Sequence, residues 1–171
     1  NLGNTGRGVG VAVIDTGIDL SHPDLKANIG SVNKTCVIGT KNANDDNGHG
    51  THVAGTIAAA NNTTGVVGVA PNATLYAVKV LDRNGSGTWS SVICGIDWVT
   101  ANAASRGIKV ANMSLSGGGS SDNNCGLTNN DALHKAICNS VSRGVTYFVA
   151  AGNDSAYTAY AVPAAYNDAV I

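Results

Sequence analysis

Apolar positions in this chain follow two rhythms. Residues 9–15, VGVAVID, form a nearly unbroken, β-branched run that closes on an acid. That is the pattern of a strand covered on both faces, as in a parallel sheet. ATLYAVKVL (73–81), IKVANMSLS (108–116) and VTYFVAAGN (145–153) repeat it. Between these runs, apolar residues recur at helical spacing. HVAGTIAAA (52–60) predicts a small-residue helix stopped by Asn61 and Asn62. SSVICGIDWVTANAA (90–104) puts Val92, Ile93, Ile96, Val99 and Ala103 on one helix face, with Arg106-Gly107 ending it. NDALHKAICNSVSRG (130–144) predicts a further helix, with Gly144 as its C-terminal stop. SHPDL (21–25), NGSG (84–87) and GGGSSDNN (117–124) predict loops, the last of them flexible. Strands and helices therefore alternate. This predicts an α/β fold in three layers, a mostly parallel sheet with helices on both faces. No internal repeat or low-complexity linker interrupts it.

Composition narrows the partners. A length of 171 residues suits one domain. Charged residues make up 12%, about half the usual share. With 22 glycines, that describes a tight, small-residue interior with many turns. The net charge is -1 and no basic run exists, which argues against nucleic acid or an anionic membrane surface as partner. No apolar stretch reaches the roughly 18 residues of a membrane span. The opening NLGNTGRGVG is polar and glycine-rich, unlike a signal peptide, so a mature or cut chain is expected. The four cysteines, Cys36, Cys94, Cys125 and Cys138, contain no C-x-x-C pair, which argues against structural zinc. An even count at wide spacing fits two disulfides in an exported protein. Three pairings are open. Cys125–Cys138 with Cys36–Cys94 is favoured, because the first closes a short loop-plus-helix segment. Four free thiols in a cytosolic protein are the alternative.

Ligands of parallel sheets bind at the carboxyl ends of the strands. There the sequence places Asp15-Thr16-Gly17, Ser114-Leu115-Ser116-Gly117 and Ala151-Gly152-Asn153. NDDNGHGTHVAGT (44–56) brings His49 and His52 toward the same edge. Nucleotide binding is a poor fit. GVG (8–10) precedes its strand where a glycine fingerprint must follow one, and GGG (117–119) has no acid suitably downstream. A metal site on His49, His52 and a carboxylate such as Asp15 or Asp46 is possible on a helix face. The i, i+4 spacing and glutamate of helical zinc sites are missing. Acid–base chemistry fits best. An aspartate at a strand end can orient a histidine, and Asn153 can donate an amide to a developing oxyanion.

VAVIDTGID (11–19), HGTHVAGT (49–56), GVVGVAP (65–71), NMSLS (112–116) and VAAGN (149–153) together resemble the subtilisin-like serine proteases. The nearest flavour is the secreted, cysteine-containing bacterial type. The match runs in order through the whole chain. The resemblance implies that Asp15 is the orienting acid, His49 the general base and Asn153 the oxyanion donor. His52 matches a structural position and is expected to pack. Gly85-Ser86-Gly87 and Ser114-Leu115-Ser116 would be the two edges that pair with an extended peptide or protein substrate. Trp89 would line an outer apolar subsite, and Ala150-Ala151-Gly152 one wall of the primary pocket. Asp24 and Asn62, with the carbonyls of Ala60, Thr64 and Val66, resemble a structural calcium site. Asp45 and Asp46 offer a second, weak site or a solvated loop, and the loop is preferred.

The resemblance also implies a nucleophile in a Gly-Thr-Ser-Met-Ala-type motif. Thr40, Thr51, Thr56 and Thr88 each follow a glycine, and none is followed by serine. Residues 1–171 are therefore expected to be a partial catalytic domain, without its N-terminal edge and its C-terminal third. Such a chain is expected to be inactive and unstable alone, and a monomer when full length. A non-catalytic peptide-binding relative and a metallohydrolase are the alternatives.

Overall fold

A computed structural model describes residues 3–171. At its centre lies β1 (Gly10–Asp15), all six residues of which are buried. Its small and β-branched side chains allow this, since they pack on both sheet faces. β2 (Lys34–Thr35), β3 (Thr74–Lys79), β4 (Ile108–Met113) and β6 (Thr146–Val149) complete a sheet of order β2-β3-β1-β4-β6. All of its pairings are parallel.

Alternate side chains of the strands feed two cores. Ala12, Ile14 and Val78 point to one face, where α2 (Trp89–Arg106) and α3 (Ala132–Ser142) supply Ile96, Val99 and Ile137. Val11, Val13, Leu75 and Ala77 point to the other, against Ala54 and Ala58 of α1 (His49–Ala58). The layers are thus helix, parallel sheet, helices. Each fully buried Val, Leu or Ile contributes about 1.5–3 kcal/mol. The capping residues agree with this layout. Thr88 and Ser91 form a capping box at the start of α2, and Gly107 ends it at φ 62°. Asp131 caps α3 by accepting from the N–H groups of Leu133 and His134.

The structure departs from the expected pattern in several places, and the strand expected over 145–153 ends at Val149. α1 begins at His49, one turn earlier than its apolar rhythm predicts, with Gly48 at φ 108° preceding it. The segment expected to be a flexible loop opens with β5 (Gly117–Gly118), which pairs antiparallel with β7 (Ala161–Val162). The strand expected over 108–116 ends at Met113, and Ser114–Ser116 leaves the sheet. Cys36–Cys94 and Cys125–Cys138 are disulfides, the favoured pairing. Among the described residues, no helix is long and apolar enough to cross a membrane.

Candidate active site

The carboxyl end of β1 delivers Asp15 into a fully buried position. Its Oδ1 accepts the Thr16 N–H at 2.7 Å and faces His49 Nδ1 at 2.8 Å. A carboxylate only accepts, so Nδ1 carries the proton and Nε2 is left as the free base. The His49 side chain is 50% exposed, so that base faces solvent while Asp15 does not. Asp15 Oδ2 is buried without a hydrogen-bond partner. An unpaired buried acceptor is costly, and a proton arriving on His49 supplies compensating charge.

A network at the start of α1 sets this contact. Thr16 Oγ1 accepts the Gly50 N–H at 2.9 Å and donates to Asp45 Oδ1 at 2.8 Å. Asp45 Oδ2 accepts from the N–H and hydroxyl of Thr51, and Asn47 Oδ1 accepts the His49 N–H. Gly50 packs so tightly that a Cβ there would stand 2.1 Å from the Gly17 carbonyl oxygen. Glycine is required for the helix end to reach the strand end. Burial alone would push the Asp45 carboxyl up. Hydrogen bonds from the Gly48 and Asn47 amides and the Thr51 and Thr16 side chains outweigh it and hold the group at about 2.

His49 opens onto a cleft of about 600 Å³. One side is Gly85–Trp89, the other Ser114–Gly118. The 82–87 turn is built on Asp82, whose carboxylate accepts the Asn84 and Ser86 N–H groups. The Ser86 bond is the largest cause of its lowered pKa. Trp89 packs against Gly117, where a Cβ would meet its ring at 2.4 Å. Ala150 N–H donates to the Met113 carbonyl at 3.2 Å, and a Cβ on Gly152 would lie 3.8 Å from Ser116 Oγ. Ala150, Ala151 and Gly152 thus run beside the 114–116 edge. Asn153 follows at an exposed bend, outside the lining of this cleft.

Asp24 is buried, and its carboxylate takes a hydrogen bond from Asn62 Nδ2 at 2.7 Å. Ala60 N–H donates to the Asp24 carbonyl, and Thr64 N–H to Asn62 Oδ1. The 60–66 loop is thereby wrapped around one buried anion.

Two expectations need correction. His52 does not pack into the core. It is exposed and lines a second cleft of about 1010 Å³ on another side of α1, because Gly50, Ala54 and Ala58 form the buried face of the helix and His52, two residues from Gly50 and from Ala54, lies opposite it. Asp45 and Asp46 are not merely solvated. Asp45 anchors α1, and Asp46 Oδ1 receives the Lys79 ammonium at 2.6 Å. Lys79 joins the site as well, and its signal in the sequence is a lone lysine in the apolar run 73–81. Cys125, His134, Cys138 and Asp168 hold ligand-type atoms within 4.8 Å of one another. Both sulfurs are spent in the disulfide, so no thiolate is present to bind metal.

Comparison with known proteins gives a consistent result. The sequence model described as "Subtilase family" matches residues 6–171. Subtilisin DY of Bacillus licheniformis is 48% identical over 151 residues, covering 88% of this chain and 49% of that protein. An alkaline protease of Alkalihalobacillus alcalophilus is 47% identical over 170 residues, covering 99% of this chain and 40% of that protein. Subtilisin Savinase of Lederbergia lenta is 46% identical, with coverages of 99% and 56%. A crystal structure of a cold adapted subtilisin-like serine proteinase superposes with a TM-score of 0.80 at 39% identity, covering 97% of this chain and 54% of the other. The chain spans about half the length of the curated relatives it matches.

Proposed function

The chain belongs to the subtilase family, and on that premise we propose that it carries the acid, the base and most of the substrate cleft of a serine endopeptidase. The observation that carries this reading is the 2.8 Å contact between a buried Asp15 and a half-exposed His49 at the mouth of the cleft. In this reading the nucleophilic serine lies outside residues 1–171. His49 Nε2 takes the proton from that serine hydroxyl as its oxygen attacks the scissile carbonyl. The imidazolium so formed is stabilised by Asp15 and then gives the proton to the leaving amine. The oxyanion role of Asn153 rests on the family resemblance, since the residue stands at an exposed bend outside the cleft lining.

An extended peptide lies between Gly85–Gly87 and Ser114–Ser116 and adds a strand to each edge by main-chain hydrogen bonds. Such recognition is broad in specificity. Trp89 offers an outer apolar subsite, and the small side chains of 150–152 leave room for a large residue beside the scissile bond. The two disulfides suit a secreted, monomeric enzyme.

Calcium fits the 60–66 loop. Asp24 is a buried anion whose one side-chain partner among the described residues is a neutral amide. Hard oxygen donors of this kind suit the ion. Asp24, Asn62 and the carbonyls of Ala60, Thr64 and Val66 would hold it, with Asn62 turning its amide to offer Oδ1. Bound calcium would neutralise Asp24 and stiffen the loop. A chelator-dependent fall in Tm that Asp24→Asn abolishes is the expected result.

The main test uses two proteins. The 171-residue chain should show no burst of acyl-enzyme on a chromogenic peptide ester and no adduct with a phosphonofluoridate. The gene product carrying this chain together with a Gly-Thr-Ser segment should show both, and Asp15→Asn should lower its kcat about 10⁴-fold, as the matching change does in trypsin. Peptide binding without turnover in the longer protein would favour the non-catalytic alternative.

A further inference from the structure

Lys79 is a charged residue sealed inside the sheet end, 1% exposed. It closes β3 and stands in register with Asp15 on β1. An ammonium group has three protons to place, and each has an acceptor here. Nζ donates to the Thr16 carbonyl at 2.6 Å, to Asp46 Oδ1 at 2.6 Å and to the Leu81 carbonyl at 2.9 Å. Each acceptor belongs to a different part of the site. Thr16 directly follows the acid. Asp46 sits three residues before the base, in the loop whose next residue, Asn47, accepts from the His49 N–H. Leu81 opens the turn that forms one wall of the cleft. Asn47 adds a parallel link, because its Nδ2 donates to the Arg83 carbonyl at 3.0 Å.

We infer that Lys79 is the positioning residue of this site, a single buried cation that fixes the strand end of Asp15, the approach to His49 and the start of the 82–87 substrate edge relative to one another. The inference rests on reading Asp15 and His49 as acid and base. Lys79 touches neither of these side chains and acts through backbone. A lysine is suited to the task because its compact head directs three donors at once, whereas an apolar side chain there would take the donor from the buried Thr16 carbonyl and the half-buried Leu81 carbonyl. Desolvating an ammonium is expensive. The three short bonds, one to a carboxylate 45% exposed, offset that cost.

The test uses the gene product that carries residues 1–171 together with the Gly-Thr-Ser segment, and a readout that does not depend on turnover. In proton NMR, the His49 Nδ1–H held against Asp15 should give a downfield, slowly exchanging resonance. Lys79→Met keeps an unbranched side chain one heavy atom shorter and removes all three donors. It should move that resonance upfield, speed its exchange with water, and shift the amide signals of Gly85 and Gly87. The His134 ring, held by Asp168 at 2.7 Å, should stay unchanged and so report an intact fold. If Lys79→Met does not fold, Asp46→Ala and Asp46→Asn decide the matter from the exposed side of the contact. Alanine should disturb the His49 resonance, and asparagine, which keeps an acceptor oxygen, should largely restore it. A folded Lys79→Met chain, or an Asp46→Ala chain, with His49 shift and exchange unaltered overturns the inference. The result is independent of whether the longer protein hydrolyses peptides, so positioning and catalysis can fail separately.

Discussion

Asp15 and His49 were legible as a pair because each sits in a short run whose residue types have little other use. Gly50 completes that run, since only a residue without a Cβ lets α1 end on β1. Asp45 was not legible as an anchor. Two adjacent acids beside asparagines read as solvent-facing, and nothing in the local pattern shows that Thr16, 29 residues earlier, will donate to one of them. The bonds to Asp45 also make a prediction about acid. Its carboxyl is held at about 2, whereas a free aspartate titrates near 3.9. The folded state therefore binds this proton less readily than the unfolded one. The stability Asp45 contributes is complete above about pH 4 and is lost as pH falls through about 2. Thermal melts across this interval should show a shallower pH slope for Asp45→Asn than for the parent chain. Equal slopes would mean that the network does not anchor α1.

Among the elements, the long strands and helices followed from periodicity because burial dictates it. β1 is apolar up to its closing acid since both its faces are covered, and α2 shows its spacing because only one of its faces is. The short elements did not follow. β5 consists of two glycines, which carry no side-chain pattern, and their pairing with Ala161 and Val162 is decided by tertiary proximity. α1 begins before its apolar residues do, because hydrogen bonds rather than burial nucleate its first turn. The cap of α2 is a cleaner case. Thr88 accepts the Ser91 N–H while Ser91 Oγ accepts the Thr88 N–H. Thr88→Ala should cost about 1 kcal/mol, read as a lower midpoint in urea with an unchanged m-value. No loss would show that the cleft wall, not the cap, sets the start of this helix.

For the molecule as a whole, the disulfides differ in reach. Cys36–Cys94 spans 58 residues and joins the region after β2 to α2, whereas Cys125–Cys138 spans 13 and stays local to α3. On loop entropy alone, the first is worth about 4 kcal/mol and the second about 3. Paired serine substitutions, followed by chemical denaturation, should therefore destabilise the chain more at 36 and 94 than at 125 and 138. The reverse order would place the dominant strain or residual structure in the unfolded ensemble around α3. Sheet order has a further consequence, for synthesis on the ribosome. Among the described strands, the central one, β1, is made first, yet its two neighbours are β3 and β4. At about 5–20 residues per second, the roughly sixty residues separating β1 from β3 take about 3–12 s to emerge. For that interval a bare run of Val, Ala and Ile waits without a partner, and the acid it carries waits with it. The nascent chain is thus most vulnerable to mispairing early, and trigger-type chaperones that shield short apolar strands should crosslink to residues 9–15 before any other part of the sheet.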